Sequence, residues 1–305
     1  MRRRGGSRLV TWWVWPVVVV LAAACGGVSV PSGTPPTGGS AATGPRAGGA
    51  VSGARPPAPD HIVIVVFENK DVDEVLQSGQ APYLDQLASS GVNFGNAYAE
   101  THPSQPNYLA LFSGSTQGVT DNSCLGPFNA PNLATQLLAA GRSFVGYSEG
   151  LPGAGFTGCR SGGFVQKHAP WSAFTNVPAS AHQPWSAWPD RYEQLPTVAV
   201  VIPDLCNDMH DCDVATGDRW LRDHLSDYLG WARTHNSLLI VTFDESQPTN
   251  AANRIVTIID GAGVRPGPSD QHIDHYTLLR TIEDMYALPA LGRAADTTAI
   301  VDIWR

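Results

Sequence analysis

A chain of 305 residues with 43% hydrophobic side chains holds enough apolar material for one large domain or two small ones, which excludes disorder along its whole length. Its formal net charge is -8, but the four arginines of residues 1–25 meet no acid there, so the remainder sets 15 basic against 27 acidic side chains. Such a balance excludes generic binding to nucleic acid or an anionic membrane, which needs cations to displace counterions, and leaves capture of an anionic substrate to local charges.

Arg2, Arg3, Arg4 and Arg8 precede an apolar run over residues 10–24, broken by Thr11 and Pro16 and ending in Leu21-Ala-Ala-Ala-Cys25. A basic region, a hydrophobic region and a small-residue cleavage site predict a signal peptide over residues 1–25; the run is shorter than the roughly 20 residues of a spanning helix. Cys25 after small residues matches a bacterial lipobox, with Ala22 where leucine is usual, and predicts lipidation of Cys25; an ordinary secretory cut is the alternative. Both readings export the chain, as a cell-envelope lipoprotein or a secreted protein, with membrane contact only through the N-terminal lipid. Residues 26–59, rich in Gly, Ala, Ser, Thr and Pro and free of aromatics, predict a flexible tether. Residues 60–305 then form one catalytic domain.

In that domain β-branched runs alternate with helical patterns. In chain order the pattern predicts a strand at 62–67, a helix at 82–90, a strand at 94–99, helices at 107–112 and 132–140, and strands at 143–147 and 198–202. A helix at 217–234, strands at 238–243 and 255–259 and a helix at 275–287 complete it. The alternation defines an α/β fold, a mostly parallel sheet with helices on both faces, in which ligands bind beyond the carboxyl ends of the strands. Cys124, Cys159, Cys206 and Cys212 are an even set in an exported chain and predict two disulfides, Cys206 closing a small ring with Cys212 and Cys124 meeting Cys159.

The strand at 62–67 runs straight into Glu68-Asn69 and that at 238–243 into Asp244-Glu245. A carboxylate has no packing reason to follow a buried strand; two such pairs can converge on one cation, and oxygen donors suit Mg, Ca or Mn better than Zn. Capping of the next element is the plainer reading of either pair alone. Between the strand at 94–99 and the following helix, Ser104 is expected as the N-cap with Pro106 in the first turn, a helix tip able to bind phosphate. Asp218 is expected to cap the helix behind it.

Three rival readings start from the same residues. Gly146-Tyr-Ser148-Glu-Gly150 fits a nucleophile elbow, with Asp218 and His275 in triad order, but the glycine- and proline-rich stretch after it cannot begin the required helix. The acidic run 204–218 lacks the ligand and glycine of an EF-hand, having Ala215 and Thr216 there. A lipoprotein that only binds a ligand is the non-enzymatic alternative.

The blocks THPSQPNYLALFSG, KHAPW, NDMHD, ATGDRWL, TFDE, HYTLLRTIEDMYALP and the terminal DIW resemble the phosphoesterase branch of the alkaline phosphatase superfamily. They are most similar to small secreted bacterial acid phosphatases of the mycobacterial type, from about His61 to Arg305. The resemblance implies an alkaline phosphatase-like fold, with Ser104 as nucleophile and Glu68, Asn69, Asp244 and Glu245 with Ser104 as ligands of one divalent ion. It implies phosphate-contacting or proton-transferring roles for Lys167, His168, His210 and His275 and a phosphate contact for Asn107, while His102 contacts substrate or holds the turn. His61, His182, His224, His235 and His272 read as structural or solvated, His272 being the first candidate for an exception. Glu68-Asn-Lys-Asp departs from the Glu-Asn-Arg-Ser-Phe of many relatives, and Glu245 replaces the histidine of two-zinc phosphatases, which argues against a second metal. The implied activity is hydrolysis of phosphate monoesters through a phosphoserine, on a phosphorylated small molecule or a phosphoinositide headgroup, with a phospholipase C-type phosphodiesterase as alternative. The chemistry suits the residues: an anionic ester repels its nucleophile, so neutralisation and positioning dominate, and an imidazole such as His210 or His275 passing the proton contributes ~100- to 10,000-fold. Asp208 and Asp211 flank His210 and favour its cationic form.

Overall fold

The computed structural model describes residues 56–124 and 126–305; the predicted signal peptide, Cys25 and all but the last residues of the predicted tether lie outside the described residues. Ten strands and six α-helices follow in the order β1 (His61–Phe67), α1 (Val72–Val75), α2 (Pro82–Ser90), β2 (Val92–Phe94), α3 (Ser104–Ser113), α4 (Leu133–Ala139), β3 (Phe144–Ser148), β4 (Arg160–Ser161) and β5 (Phe164–Val165). Then come β6 (His182–Pro184), β7 (Val198–Ile202), α5 (Val214–Ala232), β8 (Ser237–Phe243), β9 (Thr257–Gly261), β10 (Gly267–Ser269) and α6 (His275–Tyr286).

Eight strands form one sheet in the order β10-β2-β9-β8-β1-β7-β3-β6, with β4 and β5 pairing apart from it. Its centre is parallel, β1 lying between β7 and β8. These strands read as unbroken apolar runs and are buried throughout, apart from His61 at the start of β1, as strands covered on both faces must be. Helix α2 packs with α5, and α3 with α4 and α6, so two separate groups of helices cover the sheet. The expected α/β architecture with a mostly parallel sheet is therefore present, with β9 antiparallel to both β8 and β2.

The register of the central strands brings two acids together. Phe67 of β1 pairs with Phe243 of β8, and the Asp244 amide donates to the Phe67 carbonyl at 2.9 Å. Glu68 and Asp244 consequently leave the sheet side by side.

Several local expectations need correction. The stretch 94–99 is not a strand: β2 ends at Phe94, and only isolated bridges at Ala97 and Tyr98 follow. Strand β9 starts two residues later than the pattern suggests. Asp218 does not cap α5, which begins earlier behind Asp213, whose carboxylate accepts from Thr216. From inside α5 it accepts the Tyr83 and Leu84 amides at 3.1 and 2.7 Å and so serves the N-terminus of α2, whose own cap residue Ala81 offers no side-chain acceptor. Gly114 ends α3 with φ 68°, and a Cβ there would fall 2.2 Å from the Leu291 carbonyl oxygen, so no other residue fits. Both disulfides join the expected partners, Cys124 to Cys159 and Cys206 to Cys212, with Cα separations of 5.4 and 4.7 Å.

Candidate active site

The site forms where β1 and β8 end beside the start of α3. Ser104 is the first residue of that helix and not its cap: Pro103 holds the cap position without a side-chain bond. The hydroxyl is thereby free to point into the sheet end, where it donates to Glu68 Oε2 at 3.1 Å and to Glu245 Oε1 at 2.9 Å. The serine and the three carboxylates of Glu68, Asp244 and Glu245 are all about 1% exposed or less. Asn69, at φ 56°, turns its amide N–H onto Asp244 Oδ1 at 3.1 Å and its side chain onto Glu68 Oε2 at 2.7 Å. Helix α3 offers less to an anion than its sequence promises, because the Gln105 amide is taken by Asn122 Oδ1 at 3.0 Å and Pro106 has none.

A second set of groups backs this cluster. The Tyr108 hydroxyl donates to Glu68 Oε1 at 2.6 Å, one turn along α3 from Ser104. His168 Nε2 lies 2.9 Å from the same oxygen and Nδ1 3.1 Å from Asp208 Oδ2. Neither contact meets hydrogen-bond geometry, so the imidazole is held between two carboxylates as an ion pair, stacked on the Tyr108 ring at 5.1 Å. His102 Nδ1 meets Glu245 Oε2 at 2.5 Å and its Nε2 the Asn250 carbonyl at 3.2 Å. Lys167 Nζ lies 3.3 Å from His210 Nε2, and His210 Nδ1 2.7 Å from Asp211 Oδ1. Of the two carboxylates expected on His210, only Asp211 meets the ring; Asp208 takes the His210 amide and faces His168.

The electrostatics are lopsided. Burial works against charge on Glu68, but His168 and then Lys167 outweigh it and hold the carboxyl at about 2. Burial, followed by repulsion from Glu68 and Glu245, pushes Asp244 well above the usual carboxylate range. Glu245 is also raised by burial, against hydrogen bonds from Ser104 and His102. Burial opposes a charge on His168, yet Glu68 and Asp208 raise it.

Asp244 Oδ2 is buried and has no hydrogen-bond partner among the described residues. Three carboxylates around a hydroxyl, one of them with an orphaned oxygen, are what a hard divalent cation would complete, and a donor set of oxygens alone fits Mg, Ca or Mn. No group of three His, Cys, Asp or Glu side chains among the described residues is gathered tightly enough to grip an ion as it stands. The Ser104 hydroxyl stands between Glu68 and Glu245 instead.

Three expected site residues are buried with their polar groups turned onto the protein. Asn107 is buried with every polar group spent on the loop before α3: Oδ1 accepts the Glu100 and Thr101 amides, and Nδ2 donates to the Thr101 carbonyl at 2.8 Å. It shapes the approach to Ser104 and is not turned to substrate. His275 is also buried, its Nε2 3.0 Å from the Phe243 carbonyl, and burial lowers its pKa; it supports the end of β8 and is no proton donor at the surface. His168 is likewise buried, its two ring nitrogens facing Glu68 and Asp208. Conversely, Tyr108 and Asp208 lie inside the blocks THPSQPNYLALFSG and NDMHD, but nothing in those blocks marks the contact of Tyr108 with Glu68 or of Asp208 with His168. Tyr108 reads as one more apolar residue of α3, although its i,i+4 spacing from Ser104 is a usable signal.

The rival serine fares differently. Ser148 is wholly buried, 3.4 Å from His182 Nε2, and His182 Nδ1 meets no carboxylate among the described residues. With Asp218 committed to the start of α2 and His275 behind β8, no triad forms.

The fold is of the alkaline phosphatase type. A solved alkaline phosphatase superfamily protein from Vibrio parahaemolyticus superposes with a TM-score of 0.55 at 13% identity, covering 80% of this chain and 72% of that one. Residues 74–289 match the Phosphoesterase family. A phosphatidylinositol-3-phosphatase of Mycobacterium tuberculosis (strain ATCC 25618 / H37Rv) is 48% identical over 249 residues, 80% of this chain and 82% of that one. A probable acid phosphatase of Kluyveromyces lactis is 30% identical over 265 residues, 79% of this chain but only 61% of the yeast protein. The chain belongs to the Phosphoesterase family and is an enzyme of that class, a hydrolase of phosphate esters.

Proposed function

We propose that the chain is an exported, metal-dependent acid phosphatase that hydrolyses phosphate monoesters through a phosphoserine on Ser104. The observation that carries this is the Ser104 hydroxyl shared between Glu68 and Glu245, acids from strand ends far apart in sequence. Glu68, Asn69, Asp244 and Glu245 with Ser104 would hold one divalent ion, whose Lewis acidity would lower the serine pKa and offset the charge of the phosphoryl oxygens.

The residues of the chain account for the remaining steps. Glu245, whose Oε1 already accepts from Ser104 and whose Oε2 is fixed by His102, orients the hydroxyl for in-line attack and takes up its proton. Lys167 binds a phosphoryl oxygen as a point charge. The bond from phosphorus to the departing alkoxide breaks as the bond to Ser104 Oγ forms, and the Lys167–His210 pair supplies the alkoxide with a proton. The same pair then takes a proton from the water that attacks phosphorus, the bond to Oγ breaks as Glu245 returns its proton to Oγ, and inorganic phosphate leaves the restored serine. A phosphoinositide headgroup is a substrate of the right chemistry, since the mycobacterial relative carries that activity in its name; other phosphorylated small molecules fit the same machinery. Export rests on the N-terminal sequence, with anchoring through Cys25. The deciding experiment compares Ser104→Ala with the unaltered chain on mono- and diester substrates, with and without chelator. Loss of monoester turnover in the variant and in chelator is expected, and a fully active variant contradicts the reading.

A further inference from the structure

The two oxygens of Glu68 do different work. Oε2 faces Ser104 and Asn69, at 3.1 and 2.7 Å, while Oε1 is pinned from behind by Tyr108 and His168, at 2.6 and 2.9 Å. Without those rear contacts only the bonds at Oε2 would oppose rotation of the carboxylate about its last torsion. The imidazole that pins it has one other charged contact, Asp208.

Asp208 is unusually well fixed for a loop residue. It sits inside the ring closed by Cys206 and Cys212, its carbonyl accepts the Glu68 amide at 2.9 Å, and its own amide donates to the Asp204 carbonyl at 2.7 Å. Its Oδ1 accepts the His210 amide at 2.8 Å, which leaves Oδ2 for His168. Asp208, His168 and Glu68 are all 1% exposed or less, so their charges have little water to screen them.

We infer that Asp208 is a positioning residue for metal binding: acting through His168, it fixes Glu68 so that Oε2 stays turned toward Ser104 and the cation. The inference rests on the proposed role of Glu68 as a metal ligand. Partners behind a ligand are worth about 10- to 100-fold in metal affinity, because they set its orientation before the ion arrives. A merely structural Asp208, holding its own turn through Oδ1, would affect stability and leave affinity alone.

The test is calorimetric titration of the full chain with Mn2+ alone, without substrate, on the unaltered protein and on Glu68→Gln, Asp208→Asn, His168→Gln and the Asp208→Asn/His168→Gln pair. Glu68→Gln is expected to abolish binding. Asp208→Asn and His168→Gln should each weaken it by about 10- to 100-fold, and the pair no more than the worse single change. At saturating Mn2+ the KM of Asp208→Asn for p-nitrophenyl phosphate should be that of the unaltered protein. Undiminished affinity in Asp208→Asn with binding lost in Glu68→Gln overturns the relay and leaves the metal reading standing; full affinity in Glu68→Gln overturns both. Additive losses in the pair would give Asp208 an independent role and also overturn the relay. Should Asp208→Asn fail to fold, His168→Gln decides on the same affinity readout.

Discussion

Two buried serines, Ser148 at the end of β3 and Ser104 at the start of α3, invite comparison, and only one is equipped for chemistry. Ser148 ends β3 inside a sequence that fits a hydrolase elbow, yet its nearest titratable partner is a neutral imidazole with no acid behind it among the described residues. Ser104 lies in a motif that reads as an ordinary helix start, and its hydroxyl is gripped by two carboxylates with a third beside them. The difference shows that a serine becomes a candidate nucleophile through the charges that the fold assembles around it. In this chain the assembly depends on the parallel register that sets Phe67 against Phe243.

The sharpest way to break the comparison is to remove each hydroxyl. Ser104→Ala should lower kcat on p-nitrophenyl phosphate by at least about a thousandfold, as loss of a nucleophile does elsewhere, while Ser148→Ala should keep its turnover. The reverse outcome would move the active site to β3. Next in size is Asp244→Asn, which removes the carboxylate that carries the orphaned oxygen; it should cost more than about 100-fold in activity at a fixed, subsaturating metal concentration, with partial recovery as metal is raised. Recovery is the informative part, because a folding defect would not respond.

A smaller loss is expected at the mouth. Lys167→Ala should reduce kcat/KM by about 10- to 100-fold, roughly 1.4 to 2.8 kcal/mol of transition-state stabilisation. Lys167→Arg should restore part of it, and equal loss in both variants would argue against a phosphate contact. The last prediction concerns the Ser148 side and stability alone. Burial lowers His182 from 6.5 to about 4. The unfolded chain therefore takes up a proton below pH 6.5 that the folded chain refuses until about pH 4, so the contribution of neutral His182 is complete above 6.5 and is lost as the pH falls toward 4. His182→Gln should flatten the fall in Tm across that window, a slope of at most about 1.4 kcal/mol per pH unit, and an unchanged slope would contradict it.

Much of the architecture was legible because its signals are local. The apolar runs of β1, β7 and β8 read directly as doubly covered strands, and α2 starts and ends where its pattern does. The stretch 94–99 misled because its aromatic and alanine side chains also suit a partly buried loop, held here by single bridges to Ile273 and Arg254. In the site, Glu68, Asp244, Glu245 and Ser104 were visible as acids at strand ends and a serine before a helix. The contacts of Asn107, His168 and His275 were not legible because a residue type in the right block carries no information about which way it faces. Asp208 was hidden because its partner His168 is 40 positions away, and Tyr108 because a buried tyrosine in an apolar helix looks like packing until its hydroxyl is seen on Glu68.

The most direct test of the central claim is to catch the covalent intermediate. Rapid acid quench during turnover of a 32P-labelled monoester, followed by peptide mapping, should place the label on the peptide containing Ser104, with none in Ser104→Ala. Full turnover without labelled protein, or label on another residue, would contradict the account.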